Sequence, residues 1–139
     1  MKLQVSTISE TTYESDNVVS CTLPTMAGEI TVLNRHISLI SLLKPGVIKV
    51  VHKDDSVEYL AISTGMIEVR TVAEIDTEIV VLADQAERAT TIDTEVVVKA
   101  KQRAKEALER PQTLSKEEYE TLVADLAMQE ARIKASARL

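Results

Sequence analysis

Few residues in this 139-residue chain carry the chemistry from which active sites are built. Histidine occurs at His36 and His52 only, and cysteine at Cys21 only. A structural zinc site needs several such ligands at short spacing, and neither histidine has a nearby cysteine or a second histidine four residues on, so no metal site is expected. A cysteine nucleophile needs a base and a third group to orient it. Cys21 instead alternates with Val19 and Leu23, as residues on the buried face of a strand do, and reads as a small buried hydrophobe. The glycines Gly28, Gly46 and Gly65 stand 18 and 19 residues apart. Phosphate-cradling loops need closely spaced glycines, so the chain carries neither a P-loop nor a dinucleotide fingerprint and is not expected to hydrolyse ATP itself. No catalytic residue is predicted.

One further run is chemically distinctive. Lys99, Lys101, Arg103 and Lys105 are basic at every second position, which on a helix spreads them around the axis rather than along one stripe. A solvated face paired with Glu95, Glu106 and Glu109 accounts for them, and an acidic protein partner is the other reading. Composition by itself favours the first.

The elements that position these residues fall into two parts. Residues 1–84 carry 6 Lys/Arg and 12 Asp/Glu and all three glycines, whereas residues 85–139 carry 10 of each charge and are rich in strong helix formers. The first part predicts a β-sandwich, with strands at Val19–Leu23, Ile30–Val32, Gly46–Val51, Val57–Ile62, Met66–Arg70 and Glu78–Ala83 separated by turn signals. Ser38–Leu43 reads equally as a short helix. The second part predicts a two-helix antiparallel hairpin. Asp93 or Thr91 caps the first helix, whose apolar face is Val97, Ala100, Ala104 and Leu108. Pro111 ends that helix, and Ser115-Lys116-Glu117-Glu118 opens the second as a capping box. Tyr119, Leu122, Leu126 and Ile133 then line one face, interrupted by Glu130. Both stripes are thin, so the hairpin is expected to be weakly held and mobile. The fold class is α+β, with a sandwich over 1–84 and a hairpin over 85–139.

Bulk properties bound the partners. A net charge of −6 argues against nucleic-acid or anionic-membrane binding. Three tyrosines and no Trp or Phe leave little for a site that works by aromatic stacking. The first residues carry no apolar export region, no run approaches the length needed to span a bilayer, and a lone cysteine suits a reducing compartment, so a cytosolic location is expected.

Certain segments, in order, resemble the epsilon-subunit family of the F-type rotary ATP synthase. They are Gly28-Glu29-Ile30, His36-Ile37-Ser38-Leu39-Ile40, Lys44-Pro45-Gly46-Val47-Ile48, Ser63-Thr64-Gly65-Met66-Ile67-Glu68-Val69 and Val80-Val81-Leu82-Ala83-Asp84. Beyond these come Ala86 and Arg88, Ile92-Asp93, and Ala100-Lys101 with Ala104. The resemblance runs from about residue 3 to residue 110. It implies a non-catalytic central-stalk subunit that couples the gamma shaft to the membrane c-subunit ring during proton-driven ATP synthesis. Such a subunit lies at the cytoplasmic face of the bacterial inner membrane, peripheral and held there only through the complex. The ring contact it implies falls on Glu29, His36 and Ser41, although Glu29 also reads as a plain exposed turn acid and His36 as a satisfied loop residue. Asn34-Arg35-His36-Ile37-Ser38 stands where the family usually shows Pro-Gly-His-Ala-Pro, so a turn less dependent on glycine is expected.

The resemblance also implies a regulatory hairpin that leaves the sandwich, extends beside gamma and meets the alpha and beta catalytic subunits, blocking ATP hydrolysis. Lys99, Lys101, Arg103 and Lys105 suit that role, which turns their reading toward an acidic partner. Some members bind ATP at an Ile/Leu-Asp-x-x-Arg-Ala motif. Here Ile92 and Asp93 match while Val96 and Val97 replace the Arg and Ala, which removes a donor suited to phosphate. With Arg88 retained, a degenerate site at Arg88, Ile92 and Asp93 is at most weak, and no other cofactor is expected. A free β-sandwich ligand-binding module is the alternative, and a hydrolase built on Cys21 has no third group to support it.

Overall fold

The computed structural model describes residues 1–72 and 76–139. Its strands are β1 (Lys2–Ser6), β2 (Thr11–Ser15), β3 (Val18–Thr25), β4 (Gly28–Leu33), β5 (Leu39–Leu43), β6 (Gly46–His52), β7 (Val57–Ile62), β8 (Gly65–Val72), β9 (Asp76–Ala83) and β10 (Ala86–Arg88). The helices α1 (Thr94–Leu108) and α2 (Lys116–Ala137) follow. Strand neighbours run β10-β7-β6-β3-β5-β8-β9-β1-β2, with β4 also on β3. The path turns a corner where Thr25 alone pairs with Leu43. One layer is therefore β10, β7, β6, β3 and β4, and the other is β5, β8, β9, β1 and β2. All pairings are antiparallel except β1 with β9. Leu3, Val5, Leu23, Val32, Ile48, Leu60, Ile62, Ile67, Ile79 and Val81 are fully buried between the layers. Each such side chain contributes about 1.5–3 kcal/mol relative to exposure.

This is the sandwich and helical hairpin that the sequence predicts, with local differences. Ser38–Leu43 is a strand from Leu39, not a helix: it pairs with β8 along its length, and that ladder overrides a segment with no strong local preference. Val19 is exposed rather than on the buried face with Cys21 and Leu23. The register slips between Val18 and Ser20, so Val18 takes the inward position and the alternation changes phase. Three strands lie outside the predicted set. Leu3 and Val5 of β1 do alternate, but β2 is polar and β10 spans only three residues.

Both helix starts follow from capping. Asp93 accepts from the amides of Glu95 and Val96, and Ser115 accepts from that of Glu118. Thr91 does not cap, because its hydroxyl donates to the Arg88 carbonyl at 2.8 Å. On α1 the expected face is buried at Val97 and Ala104. On α2 the expected stripe is only half-buried at Leu122, Leu126 and Ile133, and Tyr119 is exposed. The buried residues are Met128, Gln129, Ala131 and Ala135. Two neighbours explain the difference, since α2 packs against α1 and also lies across β6 and β7. Small side chains admit that closer approach.

Two backbone positions are demanding. A Cβ on Gly65 would lie 2.3 Å from the Leu82 carbonyl oxygen, so glycine is required where β8 leaves its turn against β9. In the turn after β4, Arg35 has φ 65°. The turn holds no glycine, and an arginine fills its left-handed position. Thr77 holds it there, accepting from the Arg35 amide at 2.7 Å while its own amide donates to Asn34 Oδ1 at 3.1 Å. Arg35→Gly should raise stability by about 0.5–1 kcal/mol, because it relieves a left-handed side chain without removing a buried group. A chemical denaturation midpoint equal to or below that of the parent would count against this account.

Candidate interaction surfaces

Strand parity decides what each layer shows on its outside. In the layer containing β6 and β7, the outward residues Val47 and Ala61 are buried, with Tyr59 partly so, under Met128, Ala131 and Ala135 of α2. In the other layer, among the described residues, no helix covers the outer face. There Leu42, Met66 and Leu82 stand opposite one another across β5, β8 and β9, all exposed. Met26, 65% exposed, donates its amide to the Leu42 carbonyl and extends the row, and Ile40, 71% exposed, flanks it. The far end of the same face is charged, with Arg70 paired to Glu78 at 3.2 Å and Lys2 to Glu14 at 3.1 Å. An apolar band of this length on a small protein marks a contact surface. Sequence reading did not single it out, although Leu39, Ile40, Leu42 and Leu43 place apolar side chains on both parities, as a strand covered on both faces does.

The three residues implied for a ring contact do not converge. Glu29 is exposed at the start of β4 and borders a small cleft with Lys44, Lys134 and Arg138. His36 follows the other end of β4, its amide bonded to the Leu33 carbonyl and its Nδ1 2.7 Å from the Ile37 carbonyl oxygen. Four residues of strand, about 13 Å, separate Glu29 from Leu33. Ser41 sits opposite Ile67, on the inward parity of β5, and is half-buried. A partner touching all three would have to span the length of β4.

The basic run lies on α1 as its spacing requires. Lys99, Arg103 and Lys105 are exposed, and Lys101 reaches Glu130 of α2 at 4.0 Å. Among the described residues, no ion pair joins the run to Glu95, Glu106 or Glu109.

Arg88, Ile92 and Asp93 each have an internal partner. Ile92 packs on the cluster beneath α2, and Asp93 caps α1. Arg88 pairs through Nη2 with Glu58 Oε1, and its guanidinium carbon lies 5.4 Å from the centre of the Tyr13 ring. Glu58 is the hub of a cluster that no sequence spacing announces, because its members come from β2, β6, β7 and β10. Tyr13 donates to Glu58 Oε2 at 2.5 Å, and His52 Nε2 lies 2.9 Å from the same oxygen and 3.1 Å from the Tyr13 hydroxyl. The cluster borders a cleft of about 430 Å³ beside β2. Burial pushes the Glu58 carboxyl up, but hydrogen bonds from Tyr13, His52 and Arg88 outweigh it and hold the group below its ordinary value. Burial and the bond to Glu58 push the Tyr13 phenol up, so it stays a donor. Burial does the same to the Cys21 thiol, which makes it a poor nucleophile.

The sign of the resulting pH dependence follows from the lowered Glu58 value. A carboxyl that is more acidic folded than unfolded contributes stability above the unfolded value of about 4.3 and loses it as pH falls through the folded value. Glu58→Gln should therefore lower stability at pH 7 and shrink the difference from the parent below pH 4. A difference that stays constant from pH 7 to pH 3 in urea titrations would remove the electrostatic role given to Glu58.

Comparison with known proteins bears on both parts of the chain. Residues 1–89 match the family described as "ATP synthase, Delta/Epsilon chain, beta-sandwich domain". The ATP synthase epsilon chain of Staphylococcus aureus (strain JH9) is 37% identical over 109 residues, covering 78% of this chain and 77% of that one. That of Dichelobacter nodosus (strain VCS1703A) is 34% identical over 97 residues, covering 70% of this chain and 64% of the relative, a little under two thirds of its length. Among solved structures, a chain of the Euglena gracilis mitochondrial ATP synthase OSCP/F1/c-ring assembly superposes with a TM-score of 0.76 at 21% identity, covering 99% of this chain and 80% of that one. A chain of the Tetrahymena thermophila mitochondrial ATP synthase central stalk and c-ring superposes at 0.56 with 14% identity, covering 98% and 96%. At those identities the superpositions speak to fold, and the bacterial sequence matches speak to descent: the chain belongs to the ATP synthase delta/epsilon-chain family and is related to its epsilon chains.

Proposed function

We propose that this chain is a central-stalk epsilon subunit, without an active site of its own, that joins the gamma shaft to the c-subunit ring so that ion-driven rotation reaches the catalytic subunits. The observation that carries the reading is the exposed apolar row Met26, Leu42, Met66 and Leu82 with Ile40 beside it, on the face that the chain's own hairpin leaves uncovered. An elongated shaft subunit that buries this row would fix the sandwich to the rotor by the same force that seats α2 on the opposite face. Glu29 and His36, at the two ends of β4, would then be the polar contacts to the ring. Among the described residues no helix is long and apolar enough to cross a membrane. Attachment through the complex, at the cytoplasmic face of a bacterial inner membrane, follows from the reading.

The two helices that follow β10 within residues 85–139 are the regulatory unit in this proposal. Its apolar contact with the sheet is built mainly from Met128, Ala131 and Ala135 with Ile92 beside them, so undocking sacrifices little buried area. The exposed cations of α1 are then free to meet acidic segments of the catalytic subunits.

Two measurements test the proposal. In gel filtration the full chain should remain with the gamma-containing catalytic complex, whereas Leu42→Glu combined with Met66→Glu should weaken retention at least about tenfold, since two apolar contacts are worth well over 1.4 kcal/mol. Retention unaffected in a folded double variant would show that the row is not the shaft contact. Adding the full chain should slow ATP hydrolysis by the complex, and glutamine at Lys99, Lys101, Arg103 and Lys105 should relieve most of that effect. Equal inhibition by parent and variant would remove the basic run from the mechanism.

A further inference from the structure

The three residues of β10 connect the sandwich to the hairpin, and their side chains alternate between the two bodies. Ala86 packs on the core between the layers, and Arg88, on the same side, reaches Glu58 and the Tyr13 ring. Glu87 points the other way. It stands opposite Ala61, which in turn faces Val47, so it shares the row covered by α2, and there it pairs with Arg132 Nε at 2.8 Å. Adjacent residues thus tie one short strand to different partners.

Little else holds β10. It pairs with β7 over three residues only, and Ser63 and Gln85 exchange bonds at its start, with the Ser63 amide on the Gln85 carbonyl at 3.0 Å and the Gln85 amide on Ser63 Oγ at 2.7 Å. Its outer edge faces β2, with which it makes no ladder, so Arg88 over Tyr13 is what closes that seam. Beyond Arg88 the chain enters a single 3-10 turn, Ala89–Thr91, before Asp93 opens α1.

We propose that Arg88 is a positioning residue that keeps β10 seated on the sheet whether or not the hairpin is docked, so that the hairpin separates by bending within residues 89–93. Glu87 then stays behind on the sheet as the receptor to which Arg132 returns. The cluster supplies the asymmetry. Glu58 gathers Tyr13, His52 and Arg88 on one carboxylate beside a buried ring, whereas Glu87 meets a single guanidinium at a surface that the alanine interface protects. Arg88 is the more exposed of the two arginines, so burial does not set the pairs apart; a carboxylate held by several partners outlasts one held by a single ion pair at a thin interface. The inference rests on the reading that the hairpin leaves the sheet.

Residue-resolved amide exchange on the full-length chain separates the two ideas. With Arg132→Gln, the amides of α1 and α2 should exchange at least tenfold faster than in the parent while those of β10 stay within about twofold. With Arg88→Gln, the amides of β10 should speed up at least tenfold alongside the helices, with β3 and β8 unchanged as internal controls. Arg88→Lys, which keeps the charge but loses the planar fork over Tyr13, should restore part of the β10 protection. If Arg132→Gln releases β10 together with the helices, or Arg88→Gln leaves β10 as protected as in the parent, the pivot is overturned while the mobile hairpin stands. Helices that exchange as slowly as β3 in the Arg132→Gln chain would overturn the mobile hairpin itself, and the pivot with it.

Discussion

The seating of α2 on β6 and β7 governs how the rest of the molecule is arranged. Ala131 and Ala135 meet Val47 and Ala61 at close range, with Met128 filling the space beside them. Small residues on both sides allow helix and sheet to approach closely, which makes the fit good, but each contributes little area. The contact can therefore be specific without being strong. α1 packs mainly on α2, and its outer surface with the cations is left to solvent. Whatever loosens α2 loosens both helices.

The same balance sets the two outer faces apart. A two-layer sandwich must bury the inner face of each sheet, and the outer faces are free to vary. Here both outer faces carry apolar rows. Val47 and Ala61 are sealed within the chain, and Leu42, Met66 and Leu82 are exposed at its surface. The covered row is made of small residues and receives a helix. The uncovered row has long flexible side chains, two of them methionines once Met26 is counted, and such side chains adapt to a partner's shape.

Between these faces the chain must pass from a firm body to a weakly held one, and β10 is where it does so. Alternation along a strand puts Arg88 and Glu87 on opposite sides without any further device. Because the Glu58 cluster draws on four strands, it also ties together two edges, β2 and β10, that backbone pairing leaves open. An acidic chain with few aromatics thus closes its seam with one carboxylate, one phenol and one guanidinium rather than with a larger apolar plug.

Periodicity and capping residues are local quantities, so the sequence by itself determined the sandwich, the hairpin, the Asp93 and Ser115 caps and the absence of a nucleotide-cradling loop. The spacing of conspicuous segments from Gly28 to Ala104 was enough to suggest the family. It did not determine which strand faces would be covered, because that depends on where α2 lands. Met128, Ala131 and Ala135 carry no stronger signal than Leu122, Leu126 and Ile133 do. Nor did it reveal the Glu58 cluster, whose members run from Tyr13 to Arg88, 75 residues apart, and meet only when β2, β6, β7 and β10 assemble. Phase was the other blind spot. A one-residue slip at Val18–Ser20 exchanges inside for outside, and an arginine at φ 65° takes a place usually left to glycine, because both are fixed by neighbours distant in sequence. What the tertiary structure alone decided are the contacts between elements: the face left open for a partner, and the strand from which the hairpin swings.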